Sequence, residues 1–170
     1  MNKRYISVIV IVIAVLVIGY VVFINSQKQD SDSIKIGFIG PLTGDGAIWG
    51  EIEKNATMLA VEEINESGGI NGKKLEVIYE DGKCAGEPAV TAANKLIYID
   101  KVKIILPSCS GETLPIAPIT ETNKVILFAS YATNPTITNA GDYVFRNAYS
   151  DADIASMAAQ TIIKKYNTIA

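Results

Sequence analysis

The sequence predicts an α/β domain, a doubly wound parallel sheet with helices on both faces, preceded by one N-terminal transmembrane or signal helix. Three observations lead there. From Ile34 onward, short β-rich runs alternate with longer segments whose apolar residues recur every three or four positions. Glycine, proline and aspartate cluster between these segments as turn chemistry. Ahead of them, an uncharged and mostly apolar stretch of about 20 residues, Tyr5 to Ile24, follows Lys3 and Arg4, and that length crosses a bilayer core as a helix.

Residues 1–25 therefore read as a membrane anchor or signal segment. The two cations favour a cytoplasmic N-terminus, so the remainder is exported. A cleaved signal peptide is the competing reading, but no A-x-A site follows the apolar run, and Ile24-Asn25-Ser26 is a weak substitute. No cysteine follows it to carry a lipid. Residues 26–33 form a polar linker, and 34–170 form the folded domain.

In that domain IKIGFIG (34–40) is a strand ended by Gly40-Pro41 and Gly44-Asp45-Gly46. A helix is expected from about Trp49 to Ser67, with Ile52, Ala56, Leu59, Ala60 and Ile64 as its apolar face and Gly68-Gly69 as its stop. KLEVIYED (74–81) is the second strand. The second helix spans Glu87 to Asp100, with Ala92, Leu96 and Ile99 on one face. VKIIL (102–106) is the third strand, followed by a helix from about Thr113 to Thr122 broken near its start by Pro115 and Pro118. KVILFAS (124–130) is the fourth strand, and a last helix opens at Ser150 or Asp151 and runs to about Tyr166. Strands that alternate with helices make a parallel sheet covered on both sides.

Composition excludes several chemistries. The chain of 170 residues has no histidine, which removes the usual base of a Ser/His or Cys/His hydrolase. Ser110 has Thr113, not lysine, three places on, so it lacks the S-x-x-K spacing. Two cysteines without histidine cannot close a structural zinc shell. The net charge of −3 and the lack of a basic stripe argue against nucleic acid as a partner. No catalytic residue, metal ligand or cofactor is expected.

Ligands of open parallel sheets sit outside the carboxyl ends of the strands. That rule selects the loops at 40–50, 107–113 and 131–135. Trp49 offers a flat apolar wall, Ser110 and Thr113 offer hydroxyls, and Tyr131 to Thr133 offer backbone groups and a hydroxyl. Each has a plainer reading: turn glycines, a core tryptophan, helix-capping hydroxyls. Cys84 follows the second strand at the same sheet edge as Cys109. If those strands are neighbours, the sulfurs lie within disulfide reach, and an exported domain is where such a bond persists; two reduced core thiols are the alternative.

The segments IGFIGPLTGDGAIWG, AVEEINESGGINGKKLEVIYED, PSCSGETLPIAPI and ASYATNP, in that order and spacing, resemble the first lobe of the periplasmic branched-chain amino-acid binding proteins, the type I solute-binding components of ABC importers. The resemblance runs from Ile34 to the end of the chain. It implies that Ser110 and Thr133 hold the head group of an amino acid, that Tyr131 adds a backbone contact, and that Trp49 packs on the ligand. It further implies a Cys84–Cys109 disulfide and an acidic cleft residue at Asp151. Tyr131 and Glu112 stand where many relatives carry smaller residues. KKYNTIA resembles the lead-in to a strand that crosses to a second lobe in the family, so the expectation is lobe one alone, a fragment.

The expected function is the extracytoplasmic solute-binding component of an importer, partnered by permease subunits and held to the membrane by its N-terminal helix. The alternative is the ligand-binding ectodomain of a membrane-bound sensor. A Rossmann-type enzyme ranks lower, because GPLTGDGAIWG lacks the G-x-G-x-x-G fingerprint. If residues 5 to 24 are an anchor, the expressed chain stays in the membrane pellet after carbonate washing and keeps Met1 or Asn2 at its N-terminus; a soluble product starting near Gln27 overturns that reading.

Overall fold

The computed structural model describes residues 13, 16–20 and 33–166. The expected anchor falls outside these apart from positions 13 and 16–20, as does the linker apart from Ser33. Among the described residues, no helix is long and apolar enough to cross a membrane.

Five strands form one parallel sheet: β1 (Ile34–Gly40), β2 (Leu75–Asp81), β3 (Ile104–Pro107), β4 (Ile126–Ala129) and β5 (Val144–Arg146), in the order β2-β1-β3-β4-β5. The helices are α1 (Ala47–Glu66), α2 (Gly86–Asn94), α3 (Ser110–Asn123) and α4 (Asp151–Lys165), with a 3₁₀ turn at Pro135–Asn139. The side-chain period of two gives each strand two faces. Ile39, Ile105 and Leu127 point to one face and pack against Ala89 and Ala92 of α2, Leu96 just after it, and Ile116 and Ala117 of α3, all buried. Val77 and Tyr79 point to the other, where they line a shallow cleft with Met58 and Val61 of α1. Helices therefore do cover both faces.

Three helix expectations differ from the structure. On α1 the stripe of Ile52, Ala56, Leu59, Ala60 and Ile64 is exposed, and the side turned inward carries buried Gly50 and half-buried Glu53, Lys54, Thr57, Val61 and Asn65. Polar anchoring sets that orientation: Asn65 accepts from the backbone N–H of Leu75 at 2.7 Å and donates to its carbonyl at 2.9 Å. Lys54 lies over the Tyr79 ring, 5.3 Å from its centroid. After α2 the chain continues through a π-helical turn, Lys95–Ile99. That wider turn shifts the register, leaving Leu96 and Ile97 buried and Ile99 72% exposed. Helix α3 begins at Ser110 and runs unbroken through Pro115 and Pro118. The prolines remove two N–H donors, while buried Ile116, Ala117 and Thr120 hold the helix to the core.

The sequence reading also missed β5 and the 3₁₀ turn, both too short to show a period. Helix α4 starts where expected: the Ser150 hydroxyl accepts from the backbone N–H of Asp153 at 3.1 Å. None of its residues is buried.

Cys84 and Cys109 form a disulfide with a Cα–Cα distance of 5.4 Å. Strands β2 and β3 are not neighbours, since β1 lies between them. The bond forms because the loops after β2 and β3 lean together over the end of β1, where Gly82 N–H bonds the Gly40 carbonyl and Ser108 N–H bonds the Ile39 carbonyl, each at 2.9 Å. With the cysteines 25 positions apart in sequence, the cross-link is worth about 3–4 kcal/mol on the chain-entropy account. The Cys84→Ser/Cys109→Ser double variant should lose that much in denaturant unfolding; an unchanged midpoint and slope would show the bond to be dispensable.

Candidate ligand-binding site

The residues singled out for the site sit at the carboxyl edge of the sheet, and all but Thr113 fall in two connected groups. The first centres on Ser110, the opening residue of α3. Its Oγ accepts from the backbone N–H of Asn134 at 3.2 Å. The adjacent Thr133 donates its hydroxyl to Asp151 Oδ2 at 3.1 Å, and its carbonyl accepts the Asp151 N–H at 2.9 Å. Ser110, Thr133 and Asp151 thus form one chain of contacts through the loop after β4. Arg146 of β5 pins that loop from below, donating to the Asn134 carbonyl at 2.9 Å and the Thr138 hydroxyl at 2.7 Å.

The second group is aromatic. Trp49, near the start of α1, is 59% exposed, so it is not a core residue. Its ring lies nearly parallel to that of Tyr131, at 12° and with centroids 6.5 Å apart. Tyr131 is two residues before Thr133, so the aromatic pair adjoins the hydroxyl group directly. Thr113 belongs to neither group: it is fully buried and donates its hydroxyl to the Cys109 carbonyl at 2.8 Å.

Three carboxylates, of which the sequence reading remarks only on Glu112, hold these loops in place. Glu53, one helical turn after Trp49, accepts the Ser108 hydroxyl at 2.7 Å and the Ser130 hydroxyl at 2.8 Å. It fastens α1 to the ends of both β3 and β4. Asp81 accepts the backbone N–H groups of Leu42 at 3.0 Å, Thr43 at 3.3 Å and Lys83 at 3.2 Å, and also the Thr43 hydroxyl. It fixes the loop that leads to α1. Partial burial acts to raise its pKa, but the Thr43 hydroxyl and these N–H groups outweigh that and hold it below the usual carboxylate value. The sequence signal was slight, since YEDGK reads as a solvated strand end.

Glu112 is the third and is fully buried. Oε1 accepts the Cys84 N–H and Oε2 the Cys109 N–H, both at 3.0 Å. The second contact is the reach-back half of a capping box on α3. Glycine is required on the far side of this knot: a Cβ on Gly111 would lie 2.5 Å from the Cys84 carbonyl oxygen, and one on Gly82 would strike the Glu112 carboxylate. Burial pushes the Glu112 pKa to about 7; the N–H groups of Cys109, Cys84 and Ser108 pull it down and the Glu53 charge adds to the rise. Cys84, Cys109 and Glu112 bring ligand-type atoms within 4.8 Å of one another. The sulfurs are bonded to each other and both carboxylate oxygens accept N–H groups, so this cluster is structural.

What the edge offers chemically is a place for an anion beside a flat wall. At the start of α3 the Glu112 N–H turns back to the Cys109 carbonyl at 3.1 Å, which leaves the N–H groups of Ser110 and Gly111 ahead of the helix ladder, at the positive end of its dipole. Together with the Ser110 and Thr133 hydroxyls they match a carboxylate.

Known proteins resemble this chain in sequence and in fold. The family described as periplasmic binding protein matches residues 33–169. The leucine-specific-binding protein of Salmonella typhimurium is 33% identical over 150 residues, 88% of this chain and 41% of that protein. A branched-chain amino acid transporter substrate binding protein of Streptococcus pneumoniae, solved with isoleucine, is 34% identical with a TM-score of 0.68, covering 71% of this chain and 35% of that one. A solute binding protein of an ABC transporter from Rhodopseudomonas palustris, solved with 3,4-dihydroxybenzoic acid, is 29% identical with a TM-score of 0.68, covering 77% and 37%. The chain thus spans about two fifths or less of the length of these relatives.

Because the folded pKa of Glu112 lies above the unfolded value of 4.5, the folded state holds this proton more tightly. Its contribution to stability is full below about pH 4.5 and fades as the pH rises through about 7. We expect unfolding free energy to fall by about 2–3 kcal/mol between pH 5 and 8 from this group. Glu112→Gln should flatten that slope, and an equal slope in both proteins would refute the assignment.

Proposed function

This chain belongs to the periplasmic binding protein family, and from that premise we propose that it is the extracytoplasmic solute-binding component of an ABC importer that grips a small amino acid, branched-chain or similar. The observation that carries this reading is the convergence of Ser110, at the open first turn of α3, with Thr133 from the loop after β4. The ligand carboxylate takes the two hydroxyls and the α3 N–H groups, and the Tyr131 carbonyl is available to the ammonium. Binding exchanges the Thr133–Asp151 bond for one to the guest, while Ser110, which accepts from the Asn134 N–H, keeps its own proton to donate.

The relatives support the same head-group logic. Isoleucine and 3,4-dihydroxybenzoic acid, the guests of the two solved proteins, share a carboxylate and little else. On this reading the partners are permease subunits. Residues 34–170 form the first ligand-binding lobe, and the apolar stretch from Tyr5 to Ile24 serves as a membrane anchor, a role its length supports.

A hydrogen bond to a charged group is worth about 1.5–3 kcal/mol, which is roughly 10- to 150-fold in affinity. Ser110→Ala and Thr133→Ala should each weaken leucine or isoleucine binding by at least the lower factor in calorimetry. Thr113→Ala, whose hydroxyl is committed to the Cys109 carbonyl, should leave affinity nearly unchanged. Undiminished binding by Ser110→Ala would sink the site assignment.

A further inference from the structure

We propose that, among the small carboxylate guests this edge can hold, the Trp49–Tyr131 pair favours one bearing a planar aromatic ring over one bearing a branched aliphatic chain, which narrows the reading above within its wider class. This deepens the reading above and rests on it. The two rings are only 12° from parallel with centroids 6.5 Å apart, and they are 59% and 63% exposed. A planar guest lying against one ring is therefore aligned with the other as well. A branched aliphatic chain gains only area burial on such a surface, whereas a ring adds face or edge interactions with the ring quadrupoles.

The wall is also held in place. Trp49 stands on the same face of α1 as Glu53, one turn away, and Glu53 accepts the hydroxyl of Ser130, the residue next to Tyr131. The second Glu53 contact, to Ser108, fixes the same helix to the strand that leads into Ser110. Wall and cradle are thus tied through one carboxylate, which sets the distance between the part of the guest that is stacked and the part that is hydrogen-bonded. Tyr131, whose ring stacks with Trp49, is two residues before Thr133 in the same loop, so this loop links the two halves of recognition.

Trp49 is the only tryptophan in the chain, so its indole N–H gives a single NMR cross-peak at the wall itself. The full chain is titrated with leucine, phenylalanine and benzoate while that peak is followed. Phenylalanine and benzoate separate an aromatic amino acid from an aromatic acid lacking the ammonium. We expect whichever of the two binds better to bind about 2- to 10-fold more tightly than leucine. Tyr131→Leu, which keeps bulk but removes the plane, should bring that ratio close to one, and Tyr131→Phe should keep it. Tyr131 is largely exposed, so both variants should match the parent in thermal unfolding. Leucine binding as tightly as both aromatic acids, or a ratio unchanged in Tyr131→Leu, overturns the inference and leaves the carboxylate cradle standing. If none of the three compounds gives a saturable shift, the cradle reading fails and this one with it.

Discussion

The carboxylate of Glu53 reaches from α1 to hydroxyls at the ends of β3 and β4, and the shape of the sheet's carboxyl edge depends on that contact. A parallel sheet leaves the loops at its carboxyl edge without a ladder to hold them, so each needs some other tie. Here the ties are acidic. Glu53 joins α1 to two strand ends, Asp81 joins the end of β2 to the loop after β1, and Glu112 joins the loops after β2 and β3. A buried carboxylate is expensive unless its oxygens are satisfied, and each of these accepts at least two donors. At Glu112, the fully buried one of the three, removing a donor would leave a carboxyl oxygen without a partner, so that tie resists loosening. The Cys84–Cys109 bond adds a covalent tie across the same gap.

The periodic parts of the fold were legible in the sequence because they are governed by local rules. The β-rich runs IKIGFIG and LEVIYED, bounded by turn signals, and the helix start at Ser150 or Asp151 placed β1, β2 and α4 within a residue or two of their observed bounds. The carboxyl-edge rule, with the family resemblance, singled out Ser110, Tyr131, Thr133 and Trp49, which do lie together. What stayed hidden was set by partners far away in sequence. Glu53 looks like one more solvated acid on a helix until Ser108 and Ser130, 55 and 77 residues on, are brought beside it. The same polar anchoring explains why the apolar stripe of α1 misled. Periodicity says that a helix is two-faced, but not which face a few strong polar contacts will turn inward.

Helix α3 shows the opposite failure, a local rule applied too firmly. Pro115 and Pro118 argue for a break. However, the first four N–H groups of any helix lack intrahelical partners, so prolines just beyond them cost only two bonds. The cost is offset by an N-terminus held by the disulfide at Cys109 and by the Glu112 reach-back. That early start matters for the site. Had α3 begun at Thr113, Ser110 would lie in a loop, and its hydroxyl would not stand beside the open N–H groups of a helix end.

On the proposed reading, the end of α3 serves two negative groups, the guest carboxylate at its mouth and Glu112 in the same first turn beneath. Two full charges there would compete for one helix dipole, and an ordinary glutamate with a pKa near 4.5 would be fully ionised at neutral pH. Glu112 escapes that conflict through its surroundings. The disulfide, Gly82 and Gly111 close around it, water is excluded, and its pKa rises to about 7, so near neutrality it is ionised only about half the time. A guest carboxylate outside would raise that pKa further, since like charges disfavour the ionised form. The absence of water that makes Glu112 costly to ionise in the fold therefore also leaves much of the helix end's positive charge for the ligand.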